Sequence, residues 1–146
     1  MSKLLIQEKT GSAKQTCLVG KQLGRSLRGG DLVLLFGELA AGKTELTRGI
    51  AAGLGIKENI KSPTFAFVRE YILNSGGRFY HYDLYRLDAG ADLEFLNLEE
   101  ILADPKNIVA LEWPDRLMGG LSAGRTISVK IQTMRGDRRK ITIQEC

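Results

Sequence analysis

The sequence predicts a three-layer α/β domain on a mixed, partly parallel sheet with hairpins at its edges. Three observations carry this. Leu32–Phe36 is an unbroken apolar run leading straight into a glycine-rich turn and then a helical pattern. Such a run suits a strand buried on both faces of a parallel sheet. Ile108–Leu111 is a second run of the same kind. Finally, two pairs of alternating segments flank Asn74–Gly77 and Arg135–Asp137, the turn signals of hairpins.

The elements follow in order. Lys3–Ile6 reads as a short first strand. Ser12 with Gln15 forms a capping box opening a helix with Leu18, Val19, Leu23 and Leu27 on one face, ended by Gly29-Gly30. After the strand Leu32–Phe36 and its turn, a second helix carries Leu46, Ile50 and Leu54. Pro63 interrupts regular structure. Phe65, Phe67, Arg69 and Tyr71 then share one face of a strand that returns as Phe79–Leu84. Ala91–Leu102 reads as one helix with Leu93, Leu96 and Ile101 inward. Arg125–Gln132 and Arg138–Gln144 form the last hairpin.

Composition bounds the class. The 146 residues, 43% hydrophobic and 26% charged, fit one globular domain over the whole span 1–146. The net charge of +4 permits contact with RNA or an acidic partner without requiring it. No long apolar run suggests a membrane span, and only three apolar residues stand together near the start, too few for a signal peptide core. Cys17 is expected to be a small buried residue and Cys146 an exposed thiol, which fits a reducing cytoplasm.

Gly37-Glu38-Leu39-Ala40-Ala41-Gly42-Lys43-Thr44 matches the Walker A pattern in full, with a strand before it and a helix after it. The glycines let the backbone curl so that N–H groups converge on phosphate oxygens. The following helix offers about half a positive charge at its N-terminus. Lys43 reaches the β- and γ-phosphates, and the Thr44 hydroxyl suits Mg2+. The domain is therefore expected to be P-loop NTPase-like, binding ATP with Mg2+.

Such a site needs carboxylates at strand ends. Glu112 ends the run Ile108–Leu111, and Asp83 ends Tyr80-His81-Tyr82. Ligands of open α/β sheets gather outside the carboxyl ends of strands. Glu112 follows the more apolar strand and is assigned to Mg2+, with Asp83 orienting or deprotonating the attacking water. The exchanged assignment satisfies the same pattern. Thr64, in Ser62-Pro63-Thr64-Phe65, reads either as a switch-type residue touching the γ-phosphate or Mg2+ or as an ordinary turn threonine. His81, the one histidine, reads as a satisfied structural residue. Trp113, directly after Glu112, reads either as a core residue or as one that shapes a partner surface beside the site.

Together, Gly37–Thr44, Ser62–Phe65, His81-Tyr82-Asp83-Leu84-Tyr85-Arg86-Leu87 and Glu112-Trp113-Pro114 resemble the TsaE (YjeE) family, the bacterial ATPase component of tRNA threonylcarbamoyladenosine (t6A) synthesis. The resemblance spans nearly the whole chain, and the last two motifs are the specific ones. It implies ATP hydrolysis in support of a TsaB–TsaD pair that modifies tRNA. It also implies that Lys43, Thr64, Asp83 and Glu112 do the chemistry, and that Thr44 and Glu112 hold Mg2+. Gly37–Glu45 would line the nucleotide, and Thr16 would lie near its base. Glu38, Ala40 and Glu45 depart from the commoner Asp, Gly and Thr. Ala40 is expected to keep negative φ.

Other readings compete. A small nucleotide or metabolite kinase would share the Walker A but needs a lid and an acceptor pocket. A GTPase would need an Asn-Lys-x-Asp motif, which is absent. A non-catalytic module would use ATP only to dock. Arg125–Lys140 holds six basic residues (Arg125, Lys130, Arg135, Arg138, Arg139 and Lys140) against one acid, which reads either as a solvated hairpin or as a contact with tRNA or the partner proteins.

Overall fold

The computed structural model describes residues 2–38, 40–63, 66–88, 94–117 and 121–146, with Phe95 described by its backbone only. Its strands are β1 (Lys3–Thr10), β2 (Asp31–Phe36), β3 (Val68–Ile72), β4 (Arg78–Asp83), β5 (Ile108–Glu112), β6 (Arg125–Thr133) and β7 (Arg139–Glu145). Its α-helices are α1 (Ala13–Ser26), α2 (Lys43–Gly53) and α3 (Leu98–Ala103). The strands form one sheet in the order β1-β7-β6-β2-β5-β4-β3. The central four, β6, β2, β5 and β4, run parallel. The outer pairs β1/β7, β6/β7 and β3/β4 are antiparallel.

The apolar runs are explained by layers on both faces. Val33, Leu35 and Ala110 pack with Val19, Leu23, Leu46 and Ile50 of α1 and α2. Leu32, Val109 and Leu111 pack on the other face with Tyr82, Leu84, Leu96, Leu98 and Leu102. Every residue of β5 is buried. Full burial of each Leu or Ile side chain stabilises the fold by about 1.5–3 kcal/mol. This is the expected three-layer α/β domain.

Helix α1 begins as its sequence dictates. Ser12 accepts from the Gln15 N–H at 3.2 Å, and Gln15 reaches back to the Gly11 N–H at 2.6 Å. It then lies very close to α2, because glycines remove the side chains between them. A Cβ on Gly49 would meet the Cys17 carbonyl oxygen at 2.0 Å, and one on Gly20 the Leu46 carbonyl oxygen at 2.2 Å. The contact fixes the start of α1 beside the start of α2.

Several expectations are corrected. Strand β1 runs to Thr10 because its backbone pairs with β7 along that whole length. Leu18 lies on the exposed side of α1, at 55% exposure, since the inward stripe is Thr16, Val19, Gly20, Leu23 and Gly24. Cys17 is only half-buried. Strand β3 starts at Val68, since Phe67 has φ +62 and leaves extended geometry; Phe65 lies outside the described residues. The single helix expected over 91–102 is a 3-10 turn at Glu94–Leu96 and then α3, divided at Asn97 with φ +53. Leu96 is buried as expected and Ile101 is half-buried, while Leu93 is outside the described residues. The C-terminal hairpin is not at an edge. β6 pairs directly with β2, and β1 covers β7.

Candidate phosphate and metal site

Strand β2 delivers the chain to Gly37, and the turn ends at Gly42, the N-cap of α2 with φ +107. A left-handed N-cap favours glycine, and its lack of a side chain leaves the first-turn N–H groups of α2 without a side-chain cap. The Ala41 N–H donates to the Glu38 carbonyl at 3.1 Å, which closes the turn. Ala40 has φ +64, against the negative value expected of it. The loop imposes left-handed backbone there, and a Cβ in that region costs about 1–2 kcal/mol. Leu39 lies outside the described residues.

Lys43 is the first residue of α2 and is buried. Its Nζ donates to the Gly37 carbonyl at 2.5 Å and lies 3.7 Å from the centre of the Trp113 ring. Burial pushes its pKa down, opposed by the charges of Glu112, Asp83 and Asp115. Thr44 follows, half-buried. Glu45 pairs with Arg48 one turn along the helix. Thr16 stands beside the loop, its methyl 3.7 Å from where a Cβ on Gly42 would be. Its hydroxyl is shared with Thr10 at 2.8 Å.

The two acids meet by register. Asp83 and Glu112 are direct partners across the parallel β4–β5 pair. Alternation puts both on the sheet face of Phe79, Ile108 and Ala110, which is the face covered by α1 and α2. Glu112 is buried, and its Oε2 lies 2.5 Å from His81 Nε2. Asp83 accepts from the Tyr85 N–H at 3.0 Å and from Ser62 Oγ at 3.4 Å. Burial, and next the Glu112 charge, push the Asp83 pKa up, against the Tyr85 N–H, His81 and Lys43. His81 is not fully satisfied, contrary to expectation: its buried Nδ1 has no hydrogen-bond partner among the described residues. Thr64 lies outside the described residues.

This arrangement joins a desolvated ammonium, two adjacent carboxyls and an uncapped helix N-terminus. Among the described residues, no group of three or more His, Cys, Asp or Glu side chains could enclose a metal ion. Two carboxyl groups and a Thr hydroxyl nonetheless fit Mg2+, which is typically held by one or two carboxylates together with substrate phosphates and water. A cavity of about 540 Å³ opens beside the loop, lined by Gly37, Glu38, Trp113, Asp115, Lys130 and Thr133 among others.

Some site residues were not singled out from sequence. Tyr85 lies 4.9 Å from the Trp113 ring, and the Arg116 guanidinium 5.7 Å from it, so Trp113 is wedged beneath Lys43 by two neighbours. Tyr85 falls within the motif His81–Leu87, but nothing in the sequence places it or Arg116 against Trp113. The basic C-terminal segment also divides. Arg125 is bound to Asp31 and Glu145 at the far end of the sheet, and Arg139 Nε donates to the Ala41 carbonyl of the loop at 3.0 Å. Arg135 and Arg138 remain exposed on the hairpin turn.

Residues 10–141 match the family model described as "Threonylcarbamoyl adenosine biosynthesis protein TsaE". A Streptomyces coelicolor protein named tRNA threonylcarbamoyladenosine biosynthesis protein TsaE is 40% identical over 82% of this chain and 80% of its own length. The Treponema pallidum protein of that name is 36% identical over 90% of this chain and 95% of its own. The Bacillus subtilis one is 33% identical over 92% and 82%. A crystal structure of Bacillus subtilis YdiB superposes with a TM-score of 0.77 at 29% identity, covering 99% of this chain and 87% of that one. With its fold, loop and strand-end acids accounted for and its matches spanning nearly its full length, the chain belongs to the TsaE family.

Proposed function

We propose that this chain binds and hydrolyses ATP with Mg2+ as the ATPase component of tRNA threonylcarbamoyladenosine synthesis, in support of a TsaB–TsaD pair. The observation that supports it best is the convergence of Lys43, Asp83 and Glu112 at the mouth of the Walker A loop. In this reading the loop N–H groups and the start of α2 receive the β- and γ-phosphates. Lys43 exchanges the Gly37 carbonyl and the Trp113 ring for phosphate oxygen, which restores the partner its burial demands.

Thr44 and Glu112 would hold Mg2+, whose charge neutralises that developing on the phosphates. His81 fixes one Glu112 oxygen. Asp83, with its raised pKa, orients the attacking water and takes its proton. Thr64 belongs to the same step as a switch residue. The exposed Arg135 and Arg138 form the proposed tRNA contact, testable as salt-dependent RNA binding lost on their neutralisation.

The direct test is ATP hydrolysis by the purified chain, alone and with the TsaB–TsaD pair. Stimulation by the pair, lost in Lys43→Ala and reduced by on the order of 100-fold in Asp83→Asn, is the expected result. Turnover like wild type in both variants would overturn the site assignment.

A further inference from the structure

The outer side of the phosphate loop has a specific support. Arg139, half-buried at the start of β7, donates from Nε to the Ala41 carbonyl at 3.0 Å. The same guanidinium donates from Nη1 to the carbonyls of Gly136 at 3.2 Å and Arg138 at 2.9 Å. One planar fork thus joins two segments 98 residues apart, the Walker A loop and the turn of the β6–β7 hairpin.

The peptide it grips matters. The Ala41–Gly42 bond is trans, as no cis peptide occurs among the described residues. A trans peptide directs its C=O and N–H to opposite sides. Arg139 holds the C=O from outside, so the Gly42 N–H is directed away from Arg139, toward the concave side where the loop would cradle phosphate. A charge-assisted bond on the carbonyl also polarises the peptide and makes its N–H a better donor. The neighbouring Ala40 is in left-handed backbone that it would not adopt freely, so the loop needs an outside restraint.

We propose that Arg139 is a positioning residue for phosphate binding, holding the loop through the Ala41–Gly42 peptide and coupling it to the conformation of the hairpin turn. The inference rests on the ATP reading above only for the identity of the anion. An anion docking on Arg135 or Arg138 would therefore act on the loop through the turn that Arg139 grips.

The test combines two measurements on the full chain. Hydrogen exchange without nucleotide reads the loop itself, and calorimetric titration with Mg-ATP reads its function. Arg139→Gln should speed amide exchange in residues 38–44 about tenfold and weaken Mg-ATP binding about tenfold. Arg139→Lys keeps the charge but has no fork to span both segments, and should fall between Gln and wild type. Gly136→Val strains only the turn, where φ is +66 and no atom lies within 4 Å of a Cβ, yet it should speed exchange in the loop as well.

Loop exchange and affinity within twofold of wild type in Arg139→Gln would overturn the proposal. So would an effect of Gly136→Val confined to the hairpin. A wild-type chain that binds no Mg-ATP would remove the ATP reading, while the exchange measurement on the loop still decides the role of Arg139.

Discussion

Two clusters of charge sit at opposite ends of the same sheet, and their chemistry differs. Where β2 and β6 begin, buried Asp31 accepts from Arg125 through both oxygens, at 3.0 and 2.6 Å, and from the Arg28 N–H at 2.9 Å. Arg125 also reaches Glu145 at 3.2 Å and the Ser26 carbonyl at 3.2 Å. Where β2, β4 and β5 finish, Lys43 has a carbonyl and an aromatic face, Asp83 and Glu112 stand side by side, and His81 Nδ1 has no partner among the described residues. The pKa directions agree. Arg125 is pushed up, chiefly by its bond to Asp31, whereas burial pushes Lys43 down and Asp83 up. The first cluster favours the charged form of Arg125 and staples the start of β6 to the start of β2 and the end of β7. At the second, burial disfavours the charged forms of Lys43 and Asp83.

Breaking the first cluster should have the largest effect on stability. Arg125→Ala leaves the Asp31 carboxylate buried with a single N–H donor, and is expected to cost about 3 kcal/mol in urea denaturation. A loss below about 1 kcal/mol would erase the contrast between the two ends.

The opposite sign is expected at the second cluster. Because the folded Asp83 pKa is raised, the folded state holds a proton that the unfolded state releases, so stability falls as pH rises from 3.8 through the raised value. Asp83→Asn removes that slope. Without nucleotide, the variant should melt higher than wild type at neutral pH and converge with it near pH 4. The gain should be smaller than the Arg125 loss. A variant less stable than wild type at neutral pH would show that the Tyr85 and Ser62 bonds outweigh burial and charge repulsion. Lys43 works in the other direction: its lowered pKa takes stability away as pH drops from 10.5 through the lowered value.

The smallest effect sharpens the same point on the backbone. Ala40→Gly relieves left-handed strain but gives the unfolded chain more freedom, for a net gain on the order of 0.5 kcal/mol in urea denaturation. A net loss would mean that Ala40 is held by contacts worth more than its strain.

The two ends were unequally legible in the sequence. The Walker A loop is contiguous, so Gly37–Thr44 and its flanking strand and helix announced themselves. Asp83 and Glu112 were found because apolar strands that end in acids are a local pattern. Their pairing in register was not visible, because that depends on β4 and β5 lying side by side. The Arg125–Asp31 bond spans 94 residues and the Arg139–Ala41 bond 98, and neither residue type signals such a partner. Placing β6 against β2 with β1 as the edge likewise depends on long-range pairing. The breaks at Phe67 and Asn97 were missed because positive φ at a non-glycine residue is imposed by tertiary context.

The proposed magnesium-nucleotide site lies at the Lys43 end of the sheet. Calorimetric titration of ATP into the wild-type chain and Lys43→Ala, each with and without Mg2+, tests it most directly. Binding should strengthen with Mg2+ in the wild type and be lost in Lys43→Ala. Equal binding by the two proteins, or binding indifferent to Mg2+, would contradict it.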